Sequence, residues 1–219
     1  MAAAAVLAIL LAAPAPPAGY FAREGISIGE SMRWRGRPTE LMSGDLVLRS
    51  PDRTSTLTVR YRETGDERMD RFRSVLSLRL ASRSGAASYQ GVEAIGDILW
   101  SPDSKRVAVS LSGGGVGGVY ELMLMSGGRK AEDVSATFRR RLNPPKSCHL
   151  RAWSNVAAVK WLSPTRLLVA AQQLYEDDCP QHGRAMLYSY DVSRHRILHA
   201  YTVPNARRLF PGALGSSLG

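Results

Sequence analysis

Asp97-Ile-Leu-Trp100-Ser-Pro-Asp103-Ser-Lys-Arg-Val-Ala-Val-Ser-Leu111, continued after a glycine-rich loop by Val119-Tyr-Glu-Leu-Met-Leu-Met-Ser126-Gly-Gly128, is the stretch whose reading decides the fold. Val107, Val109 and Leu111 alternate with Arg106, Ala108 and Ser110, the period-two pattern of a strand that buries one face. Proline after serine presets φ for the first central position of a turn, and an adjacent aspartate can accept local backbone N–H groups. Ser101-Pro102-Asp103 therefore predicts a hairpin turn between two strands, and the run ending in Gly127-Gly128 a third strand.

The same unit recurs on both sides, and a recurrence of this length decides an architecture. Upstream stands Gly44-Asp-Leu-Val-Leu-Arg-Ser50-Pro-Asp52-Arg, then Leu57-Thr-Val-Arg-Tyr61, then Val75-Leu-Ser-Leu-Arg-Leu80 before Ser84-Gly85. Downstream stands Ala158-Val-Lys-Trp161-Leu-Ser163-Pro-Thr165-Arg-Leu-Leu-Val-Ala170, then Ala185-Met-Leu-Tyr-Ser-Tyr-Asp191, with Leu162 inserted and Thr165 in place of the aspartate. The turns Ser50-Pro51-Asp52, Ser101-Pro102-Asp103 and Ser163-Pro164 are expected at equivalent places between antiparallel strands. The fold class read from this pattern is all-β: two or three blade-like antiparallel repeats in an incomplete or propeller-like array, with a β-sandwich as the alternative. Helical turns are expected only around residues 131–141.

Trp100-Ser-Pro-Asp-Ser-Lys-Arg-Val-Ala-Val, with its Gly-rich loop, Tyr-Glu-Leu strand and Gly-Gly end, resembles a blade of the TolB-like family of β-propeller repeats. That family's pattern is an aromatic residue, Ser-Pro-Asp-Gly-Lys, an apolar strand, a loop and a strand ending near Gly-Gly. The best match covers residues 97–128. At 44–85 Arg49 replaces the aromatic and Arg53 the glycine, and the match at 158–198 is looser still. The resemblance implies a fold; such repeats occur in periplasmic scaffold proteins and in the propeller domains of some peptidases, so it does not specify an activity. Propellers close with four or more blades, and the missing edge could be filled by the Ser27–Glu40 segment, by a second copy of the chain in a homo-oligomer, or by nothing.

Composition sets the outer bounds. The chain of 219 residues is 44% apolar and 22% charged, which is ordinary for a globular domain. Met1 to Ala18 carries no charge, and its Ala2–Ala13 run has the length and small-residue character of a signal-peptide core. Residues 1–22 are accordingly read as signal peptide and linker, 23–203 as a single β-repeat domain, and 204–219 as a flexible C-terminal tail. A secreted or periplasmic location is expected, with no transmembrane span in the mature chain, because every later apolar run is cut by charge, Gly or Pro. Two cysteines suit an oxidising compartment, so Cys148 and Cys179 are expected to form a disulfide. A zinc site using His149 and His182 with them would place a ligand directly beside a ligand, an awkward geometry for tetrahedral chelation.

No residue pattern specifies a reaction, and no catalytic, metal or cofactor residue is assigned. The Gly113–Gly118 run lacks the Gly-Lys-Ser/Thr ending of a phosphate loop, and no Gly-x-Ser-x-Gly elbow precedes a helix. His195 and His199 would share a metal only on a helix, whereas Arg194–Tyr201 reads as a strand. Glu176-Asp-Asp178 reads as a solvated hairpin tip. Trp100, Trp153, Trp161, Tyr188 and Tyr190 sit where a blade needs core-filling residues.

The net charge of +10 comes from scattered arginine, densest at Arg139-Arg-Arg141 with Lys146. Without interleaved aromatics or a docking helix, nucleic acid is not the expected partner. The function expected is an exported, non-enzymatic binding or scaffold protein whose loops contact a protein or an envelope component. An accessory domain or small hydrolase related to propeller-bearing peptidases is the first alternative, and a polyanion-binding protein the second.

Overall fold

In the computed structural model, residues 21, 26, 28, 44–64, 73–92, 94–112, 120–141, 155–172 and 185–214 are described. They form three four-stranded antiparallel sheets, each built from consecutive strands. The first holds β1 (Gly44–Arg49), β2 (Thr56–Thr64), β3 (Arg73–Ser82) and β4 (Gly85–Gly91). The second holds β5 (Ala94–Trp100), β6 (Arg106–Ser112), β7 (Tyr120–Ser126) and the two-residue β8 (Glu132–Asp133), followed by helix α1 (Val134–Arg141). The third holds β9 (Asn155–Ser163), β10 (Arg166–Gln172), β11 (Ala185–Asp191) and β12 (Arg196–Thr202), followed by helix α2 (Val203–Leu209). No helix among the described residues is long and apolar enough to cross a membrane.

The three Ser-Pro turns fall between the first two strands of each sheet, as the repeat predicts. In the first two the serine closes the turn twice over. The backbone N–H of Arg53 donates to Ser50 O and that of Ser104 to Ser101 O, both at 2.9 Å. The hydroxyls donate to Asp52 Oδ1 (2.7 Å) and Asp103 Oδ1 (2.6 Å), and accept from the N–H of Ser55 and Arg106, each at 3.0 Å. The third turn is shorter, with Ser163 paired directly to Arg166. Its inserted Leu162 becomes a bulge: Arg166 pairs with Ser163 and Leu167 with Trp161, so Leu162 is passed over.

Each unit has a fourth strand beyond the three read from its repeat. In the first sheet this is β4, built from the small and polar run Gly85-Ala-Ala-Ser-Tyr-Gln-Gly91, which carries no apolar alternation strong enough to announce a strand. The Gly127-Gly128 end of the repeat has a contact reason. The turn after β7 packs against the Ser82–Gly85 turn of the first sheet, where a Cβ on Gly127 would overlap Ser82 Oγ and one on Gly128 the carbonyl of Ser84. Gly128 also has φ 73°, a conformation that costs glycine little.

The sheets stack face to face. Leu57, Val59, Leu76, Leu78 and Leu80 of the first meet Val107, Val109, Leu111, Met123 and Met125 of the second. The opposite face of the second sheet, carrying Ala108, Leu122 and Leu124, is joined by Val134 and Phe138 of α1 and meets Val156, Trp161, Leu167, Val169, Tyr188 and Tyr190 of the third. Alternation in β6 thus reports which neighbour a residue touches, since both of its faces are buried. Ala108 and Ser110 are small because the third sheet lies close, and Ser110 Oγ accepts the N–H of Ala158 at 3.0 Å.

The outer face of the third sheet, with Leu168, Ala170 and Leu187, is covered by Phe21, Ile26, Val203, Ala206, Ala213 and Leu214. Of the 204–219 stretch expected as a tail, residues 204–209 belong to α2, and Ala206, Ala213 and Leu214 pack on this face. Thr202 caps α2 by accepting the N–H of Asn205, Pro204 stands in its first turn, and Ala206 and Leu214 are buried. Residues 215–219 lie outside the described residues, as do Cys148 and Cys179.

A candidate binding groove between the second and third sheets

Contacts between the turns align one end of the stack. The N–H of Asp52 donates to Ser104 Oγ at 3.3 Å, tying the first sheet's turn to the second's. Arg106, at the start of β6, lies 3.7 Å from Asp103 Oδ2 and donates from Nη1 to Pro164 O at 3.1 Å, tying the second to the third. The indole N–H of Trp161 donates to Leu99 O at 3.0 Å, a further bond between those two sheets.

At the same end a groove of about 920 Å³ opens between β7, β8 and α1 on one side and the β11–β12 turn on the other. Glu132, on β8, organises its floor. Its Oε1 accepts the hydroxyl of Tyr190 at 2.8 Å and lies 2.8 Å from Nδ1 of His195, which places the ring proton on that nitrogen. His195 enters the groove because it stands at φ 51° in the turn before β12. Asp133 is also engaged, accepting the N–H of Ala136 at 2.9 Å as the cap of α1. Phe138 anchors the helix in the core, with its ring centroid 5.4 Å from that of Tyr188 and 5.9 Å from that of Tyr190. Ser135 Oγ adds a bond by accepting the buried N–H of Leu122 at 2.7 Å.

Both groove carboxylates are thus held by the protein itself, while Arg129, Lys130 and Arg140 extend exposed cationic groups into the opening. Such a surface attracts an anion. Arg140 belongs to the basic cluster singled out in the sequence; its neighbour Arg139 instead pairs with Glu121 at 2.7 Å, and Lys146 lies outside the described residues. The His195–Glu132 contact joins the turn before β12 in the third sheet to β8 in the second.

No family model matches the chain, and no curated protein matches it. Among solved structures it is similar to the acylaminoacyl peptidase of Pyrococcus horikoshii, with a TM-score of 0.39 and 11% identity over 72% of this chain and 25% of that one. The chain spans about a quarter of the peptidase's length. The architecture rests on the sheets and turns described above.

The other residues considered from sequence are placed as follows. Trp161, Tyr188 and Tyr190 are buried core residues, and Trp100 packs half-buried between the first two sheets. His199 lies on strand β12, where its ring contacts Tyr201 at 6.3 Å between centroids, so it and His195 do not have helical spacing. Trp153, His149, His182 and the Glu176–Asp178 run are outside the described residues. The groove's organising residue, Glu132, is the one the sequence reading missed, because nothing local sets it apart: its partners lie 58 and 63 residues away in the chain.

Proposed function

We propose that this chain is an exported, non-enzymatic binding protein of the TolB-like repeat kind, and that its groove between the second and third sheets receives an anionic group of a protein or envelope component. The observation that supports this reading is the charge arrangement. Glu132 and Asp133 are occupied by internal hydrogen bonds, while Arg129, Lys130 and Arg140 face the same opening. The groove sits on rigid elements and beside turns, where repeat proteins place recognition. Export is supported by the uncharged Met1–Ala18 run and the two cysteines. The Cys148–Cys179 bridge belongs to this reading, and in the chain-entropy relation it would stabilise the fold by roughly 3–4 kcal/mol.

The test is titration of a fluorescent acidic peptide against the wild type and against a variant carrying Arg129→Gln, Lys130→Gln and Arg140→Gln. Loss of about tenfold or more in affinity is expected, which corresponds to about 1.4 kcal/mol. A control carrying Arg166→Gln, Arg196→Gln and Arg208→Gln removes as many exposed charges from the third sheet and α2 and should bind as the wild type does. Equal loss in both variants would show that net charge, and not the groove, attracts the peptide. N-terminal sequencing of protein from the native host tests export, with a mature start expected between Ala12 and Ala22.

A further inference from the structure

Among the described residues the first sheet presents an arginine-rich outer face. Leu57, Val59 and Tyr61 of β2 turn inward, so Thr58, Arg60 and Arg62 turn outward; on β3 Leu76, Leu78 and Leu80 turn inward, and Ser77 and Arg79 outward. On β4 Ser88 and Gln90 complete the face, and on β1 Val47 and Arg49 do. Register joins these positions in rows. Val47, Thr58, Arg79 and Ser88 form one, and Asp45, Arg60, Ser77 and Gln90 the next. Arg49 stands opposite Thr56 and Arg62 opposite Val75.

Four arginines therefore share one sheet face with a single acidic position, Asp45, in their rows. Arg49, Arg62 and Arg79 form no ion pair among the described residues. Strand spacing puts Arg79 about 12 Å from Arg49 and about 14 Å from Arg62, measured between Cα positions. A shallow depression of about 440 Å³ runs among Arg60, Arg62, Arg79, Thr58, Ser77 and Gln90.

The chemistry of this face selects among partners. A protein interface needs an apolar, aromatic centre, and the large apolar residue exposed here is Val47, at 57%. Single-stranded nucleic acid needs aromatic platforms, whereas Tyr61 and Tyr89 pack toward the core between the first two sheets. What the face offers is guanidinium groups spaced along a flat, rigid support, interleaved with side-chain hydroxyls and an amide. Guanidinium pairs with sulfate or carboxylate in bidentate fashion, and hydroxyls and amides match sugar hydroxyls. We infer that the outer face of the first sheet is a docking surface for an acidic polysaccharide, separate from the groove between the second and third sheets.

The experiment is a heparin titration at several salt concentrations with the full chain. The wild type should bind, with log K falling as log salt rises. A variant carrying Arg49→Gln, Arg62→Gln and Arg79→Gln should bind at least about tenfold more weakly, with a salt slope reduced by about 2–3. The control triple at Arg166, Arg196 and Arg208 should keep both affinity and slope. Because the three replaced side chains are exposed, the variant should melt as the wild type does; Ser88→Arg, which adds a cation beside Arg79, should strengthen binding and guards against a loss caused by misfolding. Neutral dextran should not bind. The inference is overturned if the wild type fails to retain heparin, if the control triple loses as much as the face triple, or if Ser88→Arg is without effect. It is also overturned if single-stranded DNA or phosphatidylglycerol vesicles bind the face more tightly than heparin does.

Discussion

Arg53 and Ser104 occupy the fourth position of their turns at φ 61° and 57°, in the left-handed region that favours glycine. A non-glycine residue there costs about 1–2 kcal/mol, partly offset by the chain freedom that glycine would lose. Arg53→Gly should therefore raise stability by about 0.5–1 kcal/mol, read from denaturant midpoints. Ser104→Gly should gain less, because it also removes the hydroxyl that accepts the Asp52 N–H. Ser101 is fully buried, and Ser101→Ala strips the acceptor from the Arg106 N–H, so a loss of about 1–3 kcal/mol is expected in the same measurement.

Asp52 gives the turns a pH dependence. The Ser50 hydroxyl, followed by the Thr54 N–H, holds its carboxyl down at about 2. A carboxylate whose folded pKa lies below its unfolded value adds stability above the unfolded pKa and loses it as pH falls through the folded one. Asp52 thus contributes fully above about pH 4 and progressively less toward pH 2. Asp191 acts with the same sign: burial raises its pKa, but the N–H groups of Arg194 and Ser193, with the nearby Arg194 and Arg196 charges, outweigh it. Melting temperature followed from pH 5 to pH 2 should fall less steeply in Asp52→Asn than in the wild type.

At the scale of elements, α1 decides the shape of the groove. Its eight residues are too few to hold a helix in water by themselves, so packing must hold them. Phe138 and Val134 are its fully buried apolar anchors, and Phe138→Ala should cost about 3–5 kcal/mol. Ser135→Ala, which leaves the buried Leu122 N–H without its acceptor, should cost about 1–3 kcal/mol. Both variants should also weaken the acidic peptide, since Asp133, Arg140 and one wall of the groove move with the helix. Chemical denaturation and the peptide titration, run together, check this; a Phe138→Ala protein of unchanged stability would show that the helix is held elsewhere.

For the whole molecule, the decisive feature is how the stack ends. One outer face is polar and arginine-rich, and the other is covered by α2, Phe21 and Ile26, so each terminal sheet is finished differently. Terminal units of repeat arrays need such finishing to remain in solution. Truncation after Thr202 removes Val203, Ala206, Ala213 and Leu214 from Leu168, Ala170 and Leu187. The shortened chain should bind a dye specific for exposed apolar surface, associate in size-exclusion chromatography and melt at a lower temperature. A monomeric, dye-negative truncation would show that α2 does not cover the sheet in solution.

Much of this architecture could be read from local chemistry. Ser-Pro-Asp turns, period-two alternation in β2 and β6, and the recurrence of both predict three antiparallel units, because turn geometry and pleat are set by neighbouring residues in the chain. Even the bulge at Leu162 is legible, as one residue too many between Trp161 and Ser163. Residues whose structure depends on distant partners were not legible. The run forming β4 is strand because β3 offers it a register, and α2, despite the Thr202-Val-Pro204 start signal, is held by the third sheet. Glu132 meets His195 and Tyr190 only because two sheets pack across β8. Local sequence determined the turns and the strands, whereas which sheet face is buried, which is capped and where charge is left without a partner were decided by packing between units far apart in the chain.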